Sequence, residues 1–170
     1  EFEAVGTDLT LFKIRDDYDT PLSIVIVNKQ SGSRTIINRK RHGVFLDLDD
    51  SELRRMNPKV LLFDGHEPYA ALKAMDMFPQ AKSILDAGSL REGCRLLADK
   101  VDYLVCSERF ALSYTGMSHI DTEEDFNTCI KELYKLNGKH VVVTLGERGL
   151  IYEEKGCMKT LSAYTANAVD

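Results

Sequence analysis

The sequence has no excess of positive charge: its 22 lysines and arginines are outnumbered by 27 aspartates and glutamates, for a formal net charge of −5 at pH 7. A nucleic-acid binder ordinarily shows a basic excess, so no nucleic acid is expected among the partners. Long hydrophobic runs are missing too. The longest, such as "SIVIVN" and "KVLLF", fall far short of the ~20 apolar residues that span a bilayer, which speaks against a membrane protein. The opening "EFEAVGTD" has neither a basic n-region nor an apolar h-region, so secretion is not expected.

Cysteine pairs at metal or redox spacing are also lacking. Cys94, Cys106, Cys129 and Cys157 stand far apart with no C-x-x-C among them, which suggests neither a zinc site nor a disulfide framework. Reduced thiols in a cytoplasmic protein are the expectation. No H-x-x-x-H and no Ser/His/Asp ordering stands out, so metalloprotease and hydrolase readings get little support. No metal ligand set is assigned. Of the histidines, His66 could sit near a site, whereas His42, His119 and His140 are expected at the surface.

What is present is ordinary globular material: 170 residues, 44% of them hydrophobic, enough to bury a sizeable core. Residues 8–40 alternate apolar and polar in short bursts and predict three strands, at Leu9–Ile14, Ser23–Asn28 and Arg34–Asn38. Gln30-Ser31-Gly32-Ser33 supplies the loop between the last two. After Gly43 the rhythm changes. Apolar runs ("KVLLFD", "KSILDA", "DYLVCS", "HVVVTLG") now alternate with helical segments. One helix begins near Pro68 and runs to about Phe78. Another has Ser107 as its cap and Gly116 as its stop. The clearest is capped by Asp121 or Thr122, carries a stripe of Phe126, Cys129, Ile130, Leu133 and Leu136, and ends at Asn137-Gly138.

Strands alternating with helices imply right-handed βαβ units and a parallel sheet with helices on both faces. In such α/β sheets ligands bind at the carboxyl ends of the strands. The polar residues that follow each apolar run are therefore the site candidates: Asp64, Asp86, Ser107, Glu108, and the group Thr144, Gly146 and Gly149. In the last group the glycines let a ligand approach the backbone while Thr144 offers a donor, although a plain turn before a further strand explains them as well. Asp64 and Asp86 could hold a metal-bound water or a ligand hydroxyl, or could simply cap turns. Lys29, Arg34, Arg39, Lys40 and Arg41 form the most basic stretch; a guanidinium fork suits phosphate at Arg34, whereas a solvated strand face is the favoured account of the other four.

Three stretches in this order, "TPLSIVIVNKQSGSRTI", "VDYLVCSERFALSYTG" and "VVVTLGERGLIY" continuing to "YTANAVD", resemble the ribokinase-like (PfkB) carbohydrate kinases. The first looks most like the ketohexokinase and sulfofructose-kinase branches. The resemblance implies a ribokinase-like, Rossmann-like α/β sheet with helices on both faces plus a small β-strand lid, incomplete here, with residues 1–43 as lid and connection and 44–170 as part of the core. It implies an ATP- and magnesium-dependent kinase acting on a primary hydroxyl of a keto-sugar or related carbohydrate, dimeric through the lid strands. An anionic sugar is a narrower expectation from the basic stretch. A non-catalytic nucleotide-binding module, or a nucleoside or sugar-phosphate kinase of the same family, remains the alternative.

By that resemblance Thr144, Gly146 and Gly149 contact the nucleotide, Arg34 lies near the phosphates, and Asp86 and Arg91 in "LDAGSLR" face the active site with Asp64. Ser107 and Glu108 stand where many members carry N-x-x-E, so magnesium ligation there departs from the family pattern. Asp170 matches the first Asp of the family's D-T-x-G-A-G-D, whose last Asp is the base. The expectation is thus a fragment without the base or the early Gly-Gly and Asn sugar motif, inactive by itself, and no catalytic residue is assigned within it.

Overall fold

A computed structural model of the chain describes residues 2–17, 19–39 and 43–165. Lys40, Arg41 and His42, and the closing stretch 166–170 with Asp170, lie outside the described residues. The chain divides into two compact units, one up to Val44 and one from Phe45 onward.

The first unit is built on an antiparallel ribbon of β1 (Leu22–Val27) and β2 (Arg34–Arg39), in register from Leu22 opposite Arg39 to Val27 opposite Arg34. Alternation puts Leu22, Ile24, Ile26 and Ile37 on one face and Val25, Val27 and Ile36 on the other, and every one of them is exposed. The strand stops at Val27 because Asn28 turns the chain: its Oδ1 accepts from the Gln30 amide at 2.9 Å, and its own amide donates to the Ser33 carbonyl at 2.9 Å. The strand expected at residues 9–14 does not form. The Asp8 carboxylate accepts from the Thr10 amide and hydroxyl, and the Phe12 amide donates to the Leu9 carbonyl. These bonds bend the segment into turns, and apolar alternation without a partner strand cannot oppose them.

The second unit opens with a short helix, α1 (Asp50–Leu53), followed by β3 (Val60–Phe63), α2 (Pro68–Met77), β4 (Lys82–Ala87), α3 (Glu92–Leu97), β5 (Tyr103–Ser107), α4 (Glu108–Thr115), α5 (Glu123–Asn137), β6 (His140–Thr144), β7 (Leu150–Glu154) and β8 (Cys157–Leu161). The strands form one sheet in the order β3-β4-β5-β6-β7-β8, parallel through β6 and antiparallel at the closing hairpin. The helix signals act as their chemistry dictates. Thr122 caps α5 in a reciprocal box with Asp125, and Ser107 caps α4 by accepting from the Phe110 amide. Gly116 and Gly138 end these helices in the left-handed region.

Because consecutive parallel strands are neighbours throughout, each right-handed crossover displaces the chain the same way and lays its helix on the same face. The burial agrees. Leu85, Ala87, Leu104, Cys106, Val141, Val143 and Ile151 form one buried cluster with Ala71 of α2, Leu97 of α3, Phe110 of α4 and Leu133 of α5. Each large side chain in it contributes roughly 2 kcal/mol. On the opposite face Ile84, Val105 and Val142 are half-buried and Leu62 is 70% exposed. Helices on a second face require a reversal of strand order, which the described residues do not contain. None of the helices among the described residues is long and apolar enough to cross a membrane.

Candidate functional site

The parallel strands bring the candidate residues to one end of the sheet, where they fall into two groups. The first surrounds the ends of β3 and β4. Asp64 leaves β3 into a turn in which its Oδ1 accepts from the His66 amide at 2.8 Å. Asp64 and Asp86 both line a cavity of about 410 Å³, whose wall is otherwise mainly apolar, with Leu62, Phe63 and Ala71 among its residues. That size and make-up suit a small-molecule pocket. Arg91, just before α3, reaches back to the His66 ring and to Ser89 Oγ, so its guanidinium is engaged there. Asp86 points to the half-exposed face and accepts no hydrogen bond among the described residues.

Two glycines that spacing did not flag as a pair make this corner possible. A Cβ on Gly93 would lie 2.1 Å from the Gly65 carbonyl oxygen, and one on Gly65 would lie 2.5 Å from Cys94 Sγ. The start of α3 therefore packs backbone to backbone against the turn after β3. Cys94 is buried there with its thiol pushed up by desolvation, while Cys129 is pushed up to about 11 and Cys106 higher still for the same reason. All four cysteines are free thiols.

The second group follows β5 and β6. Thr144 ends β6 opposite Ser107, with its hydroxyl donating to the Cys106 carbonyl at 3.4 Å. The backbone then enters a 3-10 turn, Gly146–Arg148. Its two glycines differ in kind. Gly146, at φ 60°, has no atom within 4 Å of where a Cβ would stand, so its backbone is open to a ligand. Gly149, at φ 88°, has the Leu161 carbonyl oxygen 2.0 Å from that point, so it serves the packing of β7 against the chain leaving β8. Ser107 Oγ donates to the Gly88 carbonyl at 2.9 Å and so links the two groups. The Glu108 carboxylate is bonded by Arg148.

The carboxyl ends of β3 and β6 stand three strand spacings apart, about 14 Å. Between them runs a polar rim that an extended ligand could occupy. At Gly146 the backbone is unobstructed, beside a Thr144 hydroxyl that already donates to the Cys106 carbonyl. No three His, Cys, Asp or Glu side chains among the described residues group to hold a metal ion. Arg34 begins β2 in the first unit and is exposed, as is Arg39, whose guanidinium meets the Thr20 carbonyl and Asp19. His140 stacks on Tyr103 at the opposite end of the sheet, with ring centroids 4.6 Å apart.

The family model described as "pfkB family carbohydrate kinase" matches residues 1–170. Among solved structures, ribokinase from Thermotoga maritima is 22% identical with a TM-score of 0.62, over 89% of this chain and 50% of its own. Ribokinase from Giardia lamblia is 16% identical with a TM-score of 0.64, over 89% and 50% respectively. Pyridoxal kinase from Staphylococcus aureus, solved in complex with AMP-PCP, is 12% identical with a TM-score of 0.54, over 80% and 56%. The chain thus has a ribokinase-like α/β fold and spans about half the length of the solved structures it matches. No curated protein sequence matches it.

Proposed function

The chain belongs to the pfkB family of carbohydrate kinases, and from that premise we propose that the protein carrying it is an ATP-dependent kinase for a keto-sugar or related carbohydrate, phosphorylated on a primary hydroxyl. The observation that carries the reading is the open turn at Gly146, set on the same sheet end as the cavity lined by Asp64 and Asp86. ATP, accompanied by magnesium, supplies the γ-phosphoryl group. Phosphoryl transfer asks a protein mainly for positioning and charge stabilisation, and this chain's part is assigned accordingly. Thr144 and Gly146 bind the nucleotide at the turn, and Gly149 holds that turn in shape. Asp64, Asp86 and Arg91 line the sugar and phosphate vicinity. Arg34 on the ribbon is the proposed phosphate-binding cation. No described residue is assigned the base.

Residues 1–43 act in this reading as a lid and residues 44–170 as core. A two-stranded ribbon is marginal alone, and this one exposes Ile24, Val25, Ile26, Ile36 and Ile37 on its two faces. A second copy of the subunit is the proposed cover, in a cytoplasmic homodimer. The ketohexokinase-like and sulfofructose-kinase-like branches are the proposed placement within the family, and the cations Lys29, Arg34 and Arg39 favour an anionic sugar within that range.

The test is ADP release by the full-length protein against a panel of keto-sugars that includes phosphorylated and sulfonated ones, with light scattering on the same sample. Sugar-dependent turnover by a dimer is the expected result. Nucleotide binding with no sugar-dependent turnover would replace the kinase with a non-catalytic nucleotide-binding module.

A further inference from the structure

Within the turn after β6, Arg148 lies between Gly146 and Gly149 and is the residue from which the turn is tied sideways. One terminal nitrogen of its guanidinium donates to the Ile120 carbonyl and to Asp121 Oδ1, the latter at 2.7 Å. The other donates to Glu108 Oε1. Glu108 is the first residue of α4, and Asp121 immediately precedes the cap of α5. A single side chain therefore fastens the turn to the start of one helix and to the connection that leads into the next. The Glu108 hydrogen bond, with help from Asp121, holds the guanidinium firmly in its charged form.

The turn needs such a tie because its two sides are supported unequally. At Gly149 the backbone is wedged against Leu161 and Ala163, with the Ala163 amide nitrogen 2.7 Å from the position of a Cβ. At Gly146 no atom lies within 4 Å of where a Cβ would stand. Within the turn the Gly149 amide donates to the Gly146 carbonyl at 3.0 Å, the Arg148 amide to the Leu145 carbonyl at 3.3 Å and the Leu145 amide to the Gly149 carbonyl at 2.8 Å. Two positive-φ glycines within four residues leave such a backbone several alternatives. The three bonds of the Arg148 side chain select among them.

We propose that Arg148 is a positioning residue for the nucleotide: it holds the Gly146–Gly149 turn in the shape that presents Thr144 and Gly146, and it does so through Glu108 and Asp121 rather than by touching the phosphates. This inference rests on the kinase reading above. An arginine inside a glycine turn invites assignment as a phosphate ligand. Here the guanidinium is directed to two carboxylates and a carbonyl. A charge-assisted pair of this kind is among the stronger hydrogen bonds available at a partly exposed site.

The experiment is ADP affinity by calorimetry, with KM and kcat for ATP and sugar, on the full-length protein and the variants R148M, R148K, E108Q and the charge swap E108R/R148E. R148M is expected to weaken ADP binding and raise the ATP KM about tenfold, with the sugar KM and the saturating kcat within about twofold of wild type. R148K, which can serve one carboxylate but not the fork of three acceptors, is expected between the two. The charge swap, which restores the Glu108 tie while removing the arginine from the turn, is expected to recover part of the affinity. E108Q is expected to weaken ADP binding in the same direction by a smaller factor, and it keeps the test decisive if R148M fails to fold.

Unchanged ADP affinity in both R148M and E108Q overturns the proposal and leaves the kinase reading standing. A swap no better than R148M, combined with normal affinity in E108Q, also overturns it, because the arginine would then be acting on the phosphates directly. A wild-type protein that binds no nucleotide overturns this inference together with the kinase reading.

Discussion

At the amino end of the parallel strands, Ser83, Asp102, Asn137 and Lys139 satisfy one another. Asp102 accepts from the Ser83 amide at 2.9 Å, the Ser83 hydroxyl at 3.1 Å and the Lys139 ammonium at 3.1 Å, while its own amide donates to Ser83 Oγ. Asn137, buried at the end of α5, donates to the Ala98 and Val101 carbonyls and accepts from the Lys139 and His140 amides. At the carboxyl end of the same strands the polar groups are spread along an open rim. Asp64 and Asp86 face a cavity, and Gly146 faces space. The closed end spends its hydrogen-bonding capacity on joining elements to each other. The open end keeps some of that capacity for something outside the chain, as strand ends in α/β sheets do.

The largest effect that would test this contrast is expected at Asn137. Replacing it with alanine orphans two carbonyls and two amides around a side chain that is only 5% exposed, at a cost on the order of 3 kcal/mol. Chemical denaturation should show that loss with the slope unchanged. Nucleotide affinity in the fraction that remains folded should match wild type. A smaller stability loss accompanied by weakened binding would mean that the two ends are not separate in function.

A second, more modest effect is expected from pH. The folded Asp102 carboxyl is held below its ordinary range, first by the Ser83 amide and then by Lys139 and the Ser83 hydroxyl. A carboxyl depressed in the folded state contributes stability above its unfolded value of about 4 and loses that contribution as pH falls through the folded value. An Asp102→Asn variant should therefore be less stable than wild type at pH 7, and the gap between their melting temperatures should close as pH is lowered below about 4. A gap that does not change with pH would show that the Asp102 charge contributes nothing to the closed end.

The two ends were not equally legible. The caps and stops of α4 and α5 could be read because their chemistry is local: Ser107, Gly116, Thr122 with Asp125, and Asn137-Gly138 act within a few residues of themselves. The strands β3 to β6 were legible because a buried strand is a short apolar run. The helix α1 was missed, and α3 was expected between two apolar runs without bounds, because they have four and six residues and no long apolar stripe. The segment at residues 9–14 misled because alternation describes a strand only when a neighbour pairs with it.

At the site, spacing flagged Thr144, Gly146 and Gly149 as a group but could not divide them. What separates Gly146 from Gly149 is the approach of Leu161 and Ala163. The contact of Gly65 with Gly93, and the tie from Arg148 to Glu108 and Asp121, join residues 27 to 40 positions apart. Nothing in the local pattern announces them.

The smallest effect on stability is expected at Asp86, and it tests the open end most directly. Asp86 is exposed on the uncovered face of β4 and accepts no hydrogen bond among the described residues, so Asp86→Asn removes a charge without orphaning a partner. Its stability should stay within about 0.5 kcal/mol of wild type, as surface changes away from networks usually do. If the carboxylate works on a ligand in the cavity, the same variant should lose sugar-dependent turnover while its melting temperature holds. A drop in stability comparable to that of Asn137→Ala would make Asp86 part of the scaffold, and the contrast between a joining end and a binding end would then stop at β4.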